Sequence, residues 1–218
     1  MIARKNIAVV FILLPYISKA QHTVQHTNMF WAGYYNTIRL NKKWTIGSDL
    51  QVRTKDWANE WSQFLVRSGL MYSFNTNFSV SAGLSFFKTA QYINNELLLK
   101  NEWRPWQELF YQVAIHKINL VQRLRTEQRF LQKVANNKKI NSYQYIFRLR
   151  YKFEFQFPIK ENNIKLVAGN EVMLNPGYDS PLFFDQNRTS AGTNFKLNST
   201  TNLQCQYVKI FQWHSSIS

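Results

Sequence analysis

The chain has 218 residues, with 27 Lys and Arg against 12 Asp and Glu, and a formal net charge of +15 at pH 7. That length favours one domain, and a single cysteine, Cys205, excludes an internal disulfide. Beyond residue 20 no unbroken apolar run approaches the roughly 20 residues of a spanning helix, so a helical membrane protein is excluded for the mature chain.

The first twenty residues read as a secretory signal peptide. Arg4 and Lys5 form a positive start, Ile7 to Leu14 a short apolar core, and Ser18-Lys19-Ala20 a small-residue cleavage site. Residues 21–218 are then one β domain. Strand signals follow at 28–40, 44–54, 61–73, 78–88, 104–117, 120–132, 143–157, 164–174, 184–197 and 202–212. Many of these exceed the usual globular strand of about 5–6 residues and match the roughly 9–11 that a tilted spanning strand needs.

The links between them alternate. Residues 41–43, 74–77, the turn at Asn119, 158–163 and 198–201 are short, whereas 55–60, 89–103, 133–142 and 175–183 are longer. Short turns at one end and long loops at the other are the habit of an outer-membrane barrel.

The stretch from Leu120 to Phe157 carries the strongest pattern. Arg123, Arg125, Glu127 and Arg129 share one strand face, and Leu120, Leu124 and Phe130 share the other. In the next strand Arg148, Arg150, Lys152, Glu154 and Gln156 oppose Phe147, Leu149, Tyr151, Phe153, Phe155 and Phe157. One face suits hydrocarbon, and the other is too densely charged for an ordinary core. The mean hydropathy of −0.37 is compatible with this, because lumen residues cancel lipid-facing ones. A soluble exported β-sandwich binding an acidic ligand reads from the same alternation with its faces reversed. Strand length and aromatic residues near strand ends favour the membrane. Trp31, Tyr34, Tyr35, Trp44, Trp61, Tyr72, Trp106, Tyr111, Tyr145, Tyr151 and Tyr207 are the expected interfacial girdles.

A resemblance adds to this. Trp106-Gln107, Arg123 to Phe130 (Arg-Leu-Arg-Thr-Glu-Gln-Arg-Phe), Arg148 to Tyr151 (Arg-Leu-Arg-Tyr), Asn170-Glu171 and Phe184 to Arg188 (Phe-Asp-Gln-Asn-Arg) occur in that order. Over most of 28–212 the chain resembles the domain of unknown function 2490 family. That resemblance implies a single-domain exported barrel of a Gram-negative envelope and no particular activity. The ending from Trp213 to Ser218 lacks the expected terminal aromatic strand, so a final strand is expected to be missing and closure is in question.

The expected fold is an all-β, antiparallel up-and-down transmembrane barrel of about ten to twelve strands. Its expected lumen carries Glu108, Arg123, Arg125, Glu127, Arg129, Arg148, Arg150, Lys152, Glu154 and Glu171, with Arg53, Arg67, Gln112 and His116 beside them. Arg binds carboxylate or phosphate in a fork. Such a set either passes or binds small anions, or fills a narrow barrel as a structural ladder.

Expected partners are outer-membrane lipid, lipopolysaccharide, small anionic solutes and the barrel assembly machinery. Nucleic acid is not among them, because the charge is dispersed and no nucleic-acid motif accompanies it. No cofactor or metal is expected: His22 and His26 lie in a polar N-terminal tail, and metal sites recruit further ligands. A rim-located lipid-modifying enzyme is the alternative, with His116 the one histidine expected inside a strong strand, but no catalytic motif occurs. Asp185, Asn187 and Arg188 follow a Pro- and Gly-containing loop that turn chemistry accounts for.

Overall fold

A computed structural model describes residues 23–55, 60–93, 96–159, 163–177 and 183–214. The expected signal peptide lies outside these. Ten antiparallel strands follow one another: β1 (Thr23–Arg39), β2 (Trp44–Lys55), β3 (Glu60–Ser73), β4 (Phe78–Ile93), β5 (Glu96–Ile115), β6 (Ile118–Ala135), β7 (Lys138–Ile159), β8 (Ile164–Leu174), β9 (Phe184–Lys196) and β10 (Thr201–His214). Each pairs with its sequence neighbour, and β1 pairs with β10 from Thr23↔His214 to Asn36↔Thr201, so the sheet is a closed barrel. These ten strands meet without a further one. A single closed sheet also replaces the two packed sheets of the sandwich alternative.

Three turns at one end share a local device. The side-chain oxygen of Asn41 accepts from the backbone N–H of Lys43 and Trp44 at 2.8 and 2.9 Å. Asn75 does the same for Asn77 and Phe78, and Asn198 for Thr200 and Thr201. An Asx turn satisfies backbone donors that would otherwise be orphaned where the chain reverses. This short-turn end also holds the two-residue reversal at His116, which takes a positive φ of 55°.

At the opposite end two of the expected long loops are largely strand. β4 runs on to Ile93, which pairs with Glu96, and β6 and β7 run on to Ala135 and Lys138. Asn136 and Asn137, with φ of 49° and 57°, make the tight turn there, a conformation Asn tolerates well. Each described register shift also falls toward this end: at Arg53/Thr54, Gln132/Val134 and Met173/Leu174.

The outer wall is apolar. Leu50, Val66, Leu84, Leu109, Leu124, Phe153 and Leu166 are exposed there. Aromatic groups flank the belt. Trp44, Tyr72, Phe74 and Phe78 form a chain of ring contacts at 4.8, 5.0 and 5.4 Å near the short turns. Phe86 meets Trp103 at 4.7 Å toward the other end. Several polar groups on the outside pair with each other: Thr126 donates to Gln107 at 2.6 Å, Gln107 and Gln128 bond mutually, and Asn170 and Asn187 exchange bonds at 2.8 and 2.9 Å. An unsatisfied polar group in hydrocarbon costs several kcal/mol, roughly, and this pairing avoids it. Closure, length and the outer belt together make the fold a transmembrane β-barrel.

Candidate functional site

The inward faces of β5, β6, β7 and β8 build a network of buried ion pairs. Period two places Glu102, Arg104, Trp106 and Glu108 on the inner face of β5, and Arg123, Arg125, Glu127 and Arg129 on that of β6. On β7 it places Arg148, Arg150, Lys152 and Glu154 there, and on β8 Glu171. The ten residues expected from the sequence are therefore brought together.

Glu127 stands at the centre and is 2% exposed. Arg150 approaches it at 2.5 Å, Arg125 at 3.5 Å and Arg104 at 3.6 Å. Glu171 holds Arg123 at 2.6 Å and Arg150 at 2.7 Å. Glu108 holds Arg125 at 2.5 Å and Arg123 at 3.5 Å. Glu102 receives a fork from Arg104 at 2.5 and 2.8 Å, and bonds from Arg129 at 2.6 and 3.2 Å. Lys152 and Glu154 close the series at 2.5 Å. Each carboxylate serves two or more guanidiniums except Glu154. That sharing is what makes burial of so many charges tolerable, since an isolated buried ion costs several kcal/mol, roughly.

Apolar groups help to fill the rest of the lumen. Leu65, Phe87, Val167, Met173 and Val208 are each no more than 3% exposed and point inward. Trp106 completes the filling. Its indole lies over Gly69 and Gly83, register partners on β3 and β4, where a Cβ would collide with that ring. Trp31, Tyr35 and Trp106 were expected in the outer girdles, and the register corrects all three to the lumen. Arg67 holds Asp49 at 2.7 Å, and Tyr35 accepts a bond from Gln51.

The packed middle separates two vestibules. One, of about 360 Å³ toward the short turns, is bordered by Tyr35, Asp49, Arg67, Glu108, Arg123 and Lys152. The other, of about 330 Å³ toward the end with the register shifts, is bordered by Trp31, Arg53, Arg104, Arg148, Asp185 and Arg188.

His116 is corrected as well. It is exposed in the β5–β6 turn, outside both the strand and the lumen. Gln112 sits at the short-turn rim, where its amide donates to Thr76 O at 3.0 Å. Among the described residues no cluster of His, Cys, Asp or Glu is arranged to hold a metal ion.

Sequence reasoning did not place Asp49, Glu102, Arg104, Asp185 and Arg188 in the lumen, and read Asp185 and Arg188 only as residues following a loop. Asp49 shared parity with Arg53, and Glu102 and Arg104 shared it with Glu108, so alternation could have found them. Asp185 could not be found that way. It is the extra residue between Met173↔Gln186 and Leu174↔Phe184, and it reaches Arg148 at 2.8 Å. A bulge re-aims a side chain against the strand's own alternation.

With this geometry in place, the class is a β-barrel of outer-membrane type with a charged, filled interior. The chain belongs to the DUF2490 family, described as a protein of unknown function, whose model matches residues 28–217. No curated protein matches it. Among solved structures it is similar to the translocator domain of the autotransporter NalP from Neisseria meningitidis, at 9% identity and a TM-score of 0.46, covering 87% of each chain. It is also similar to the β domain of the Bordetella autotransporter BrkA, at 5% identity and a TM-score of 0.41, covering 87% of this chain and 98% of that one. Neisserial surface protein A is similar at 8% identity and a TM-score of 0.39, covering 88% and 99%.

Proposed function

We propose that the protein is an outer-membrane barrel whose lumen is closed at mid-height by its own side chains. It serves as a structural or anion-binding element of the envelope, in contact with lipid and lipopolysaccharide, and not as an open channel. The observation that carries this reading is Glu127: 2% exposed, with guanidiniums from three strands around it. A carboxylate lining an open pore would be hydrated. The inward apolar residues that complete the filling support the same reading, because narrow barrels are packed by their own side chains.

Two measurements test it. An outer-membrane fraction run unheated beside a boiled sample is expected to show a mobility shift, the sign of a detergent-resistant barrel. The purified barrel in a planar bilayer is expected to show no steady single-channel steps. Stable anion-selective conductance would overturn the closed lumen and favour a basic passage.

A further inference from the structure

Most inward arginines have a carboxylate partner, and among the described residues Arg53 and Arg188 have none. Arg53 spends Nη1 on Gln63 and Nη2 on Gln51, both at 2.9 Å. Arg188 donates Nε to Gln186 at 2.7 Å. The register sets Arg188 opposite Glu171, but that carboxylate is already held by Arg123 and Arg150. Both guanidiniums face the same indole: Cζ of Arg53 lies 4.1 Å, and Cζ of Arg188 5.1 Å, from the Trp31 ring centroid. All three border the vestibule of about 330 Å³.

The described surroundings do not supply the missing charge. Lys55, Arg104, Arg129 and Arg148 also border this vestibule, and Asp185 is the bordering carboxylate among the described residues. Asp185 is taken by Arg148, and Glu102 by Arg104 and Arg129.

A second, independent observation concerns hydrogen bonding. Nε of Arg53, Nε1 of Trp31 and Nε2 of Gln206 are buried donors with no acceptor in reach among the described residues. Their residues are successive register partners across β10, β1 and β2, all facing inward. Arg53 itself is 7% exposed. A buried donor without an acceptor is destabilising, and more so when charged. Two of these donors, on Arg53 and Trp31, border the vestibule beside Arg188, and together with the two cations they want an acceptor that carries negative charge.

We propose that this vestibule is a binding site for a phosphate-class dianion, held between Arg53 and Arg188 against Trp31. Two unneutralised guanidiniums match two negative charges. A tetrahedral oxyanion also accepts from donors arriving in different directions, as a planar carboxylate does less well. The inference rests on the closed barrel proposed above, which makes the vestibule blind and lets an anion stay.

The test uses the full chain, folded in detergent, with inorganic phosphate as the probe at about pH 8, where phosphate is a dianion. Equilibrium dialysis is expected to show saturable binding that sulfate competes and chloride does not. Arg53→Gln with Arg188→Gln should weaken it about tenfold or more, since charge-assisted hydrogen bonds to the anion are lost. Lys138→Gln with Lys139→Gln removes equal charge from an exposed hairpin of the same end, and should leave affinity within about twofold. Equal weakening by both pairs would reduce the effect to general attraction and overturn the site. Absence of saturable binding in the wild-type barrel would overturn it too.

If the arginine pair fails to fold, Trp31→Phe removes the indole N–H and its five-membered ring while keeping an aromatic face, and unchanged phosphate affinity in that variant refutes the site. Conductance on the same preparation separates the two readings. Steady channel steps together with arginine-dependent phosphate binding would retain the site and reject the closed lumen.

Discussion

Arg150 reaches Glu127 diagonally, at 2.5 Å, although the β6–β7 ladder sets Arg150 directly opposite Arg125. Like charges directly opposite on a sheet are destabilising. Here the conflict is resolved because Glu127 lies between the two guanidiniums and is shared by them, and Glu171 holds Arg150 from its other side. The network is thus a property of four strands in register, and one residue of slippage would dismantle it.

Glu127→Gln is therefore expected to cost about 3–5 kcal/mol, the range for breaking a buried pair and leaving its partners charged. Glu154→Gln should cost about 1 kcal/mol or less, because its partner Lys152 is partly exposed and can turn to water. The temperature at which the unheated gel form is lost, compared between the two variants, checks the order.

Leu149 lies on the outer face at the level of Arg125 and Glu127, opposite Thr126. Leu149→Arg should hinder assembly, since Arg on the lipid face near the midplane costs roughly 2–4 kcal/mol. The measurement is the yield of heat-modifiable barrel in the outer-membrane fraction. Wild-type yield would argue against lipid contact at that level.

Two glycines separate packing from conformation. A Cβ at Gly83 would collide with the backbone of Ser68 and Gly69 and with the Trp106 ring, whereas one at Gly47 meets nothing within 4 Å. Gly83→Ala should destabilise by about 1–3 kcal/mol through overpacking, and Gly47→Ala should be close to neutral. Chemical denaturation of refolded barrels compares them.

Asp185 is the carboxylate that bonds Arg148 beside the proposed phosphate site. Asp185→Asn would release that guanidinium toward the vestibule and should tighten phosphate binding severalfold, by roughly 1 kcal/mol of added attraction in a partly hydrated site. The dialysis titration reads this directly. Weaker binding would show that Asp185 positions Arg148 for the anion.

Much of this architecture is legible in the chain, for a physical reason. Wherever one face meets lipid and the other meets charge, as from Leu120 to Phe157, alternation marks both the strand and its orientation. It fades where both faces meet water. For that reason the outer parts of β4 and β5 read as a loop, although Lys88 pairs with Asn101 and Ile93 with Glu96. Residue type misled at Trp31 and Trp106, because an indole suits a membrane interface and a packed lumen equally well. Parity would have placed Trp106 with Glu108. The uncompensated state of Arg53 and Arg188 is not legible at all, since it depends on which carboxylates neighbouring strands deliver.

The register shifts at Arg53/Thr54, Gln132/Val134 and Met173/Leu174 all lie toward one rim. Their consequence concerns how such a barrel can change over generations. A residue gained or lost within that rim is absorbed by an existing irregularity. The same change between Trp103 and Leu109 would turn every later side chain of β5 to the opposite face. Length variation among relatives is therefore expected to gather at the rim that borders the vestibule, while the girth of the barrel stays ungapped.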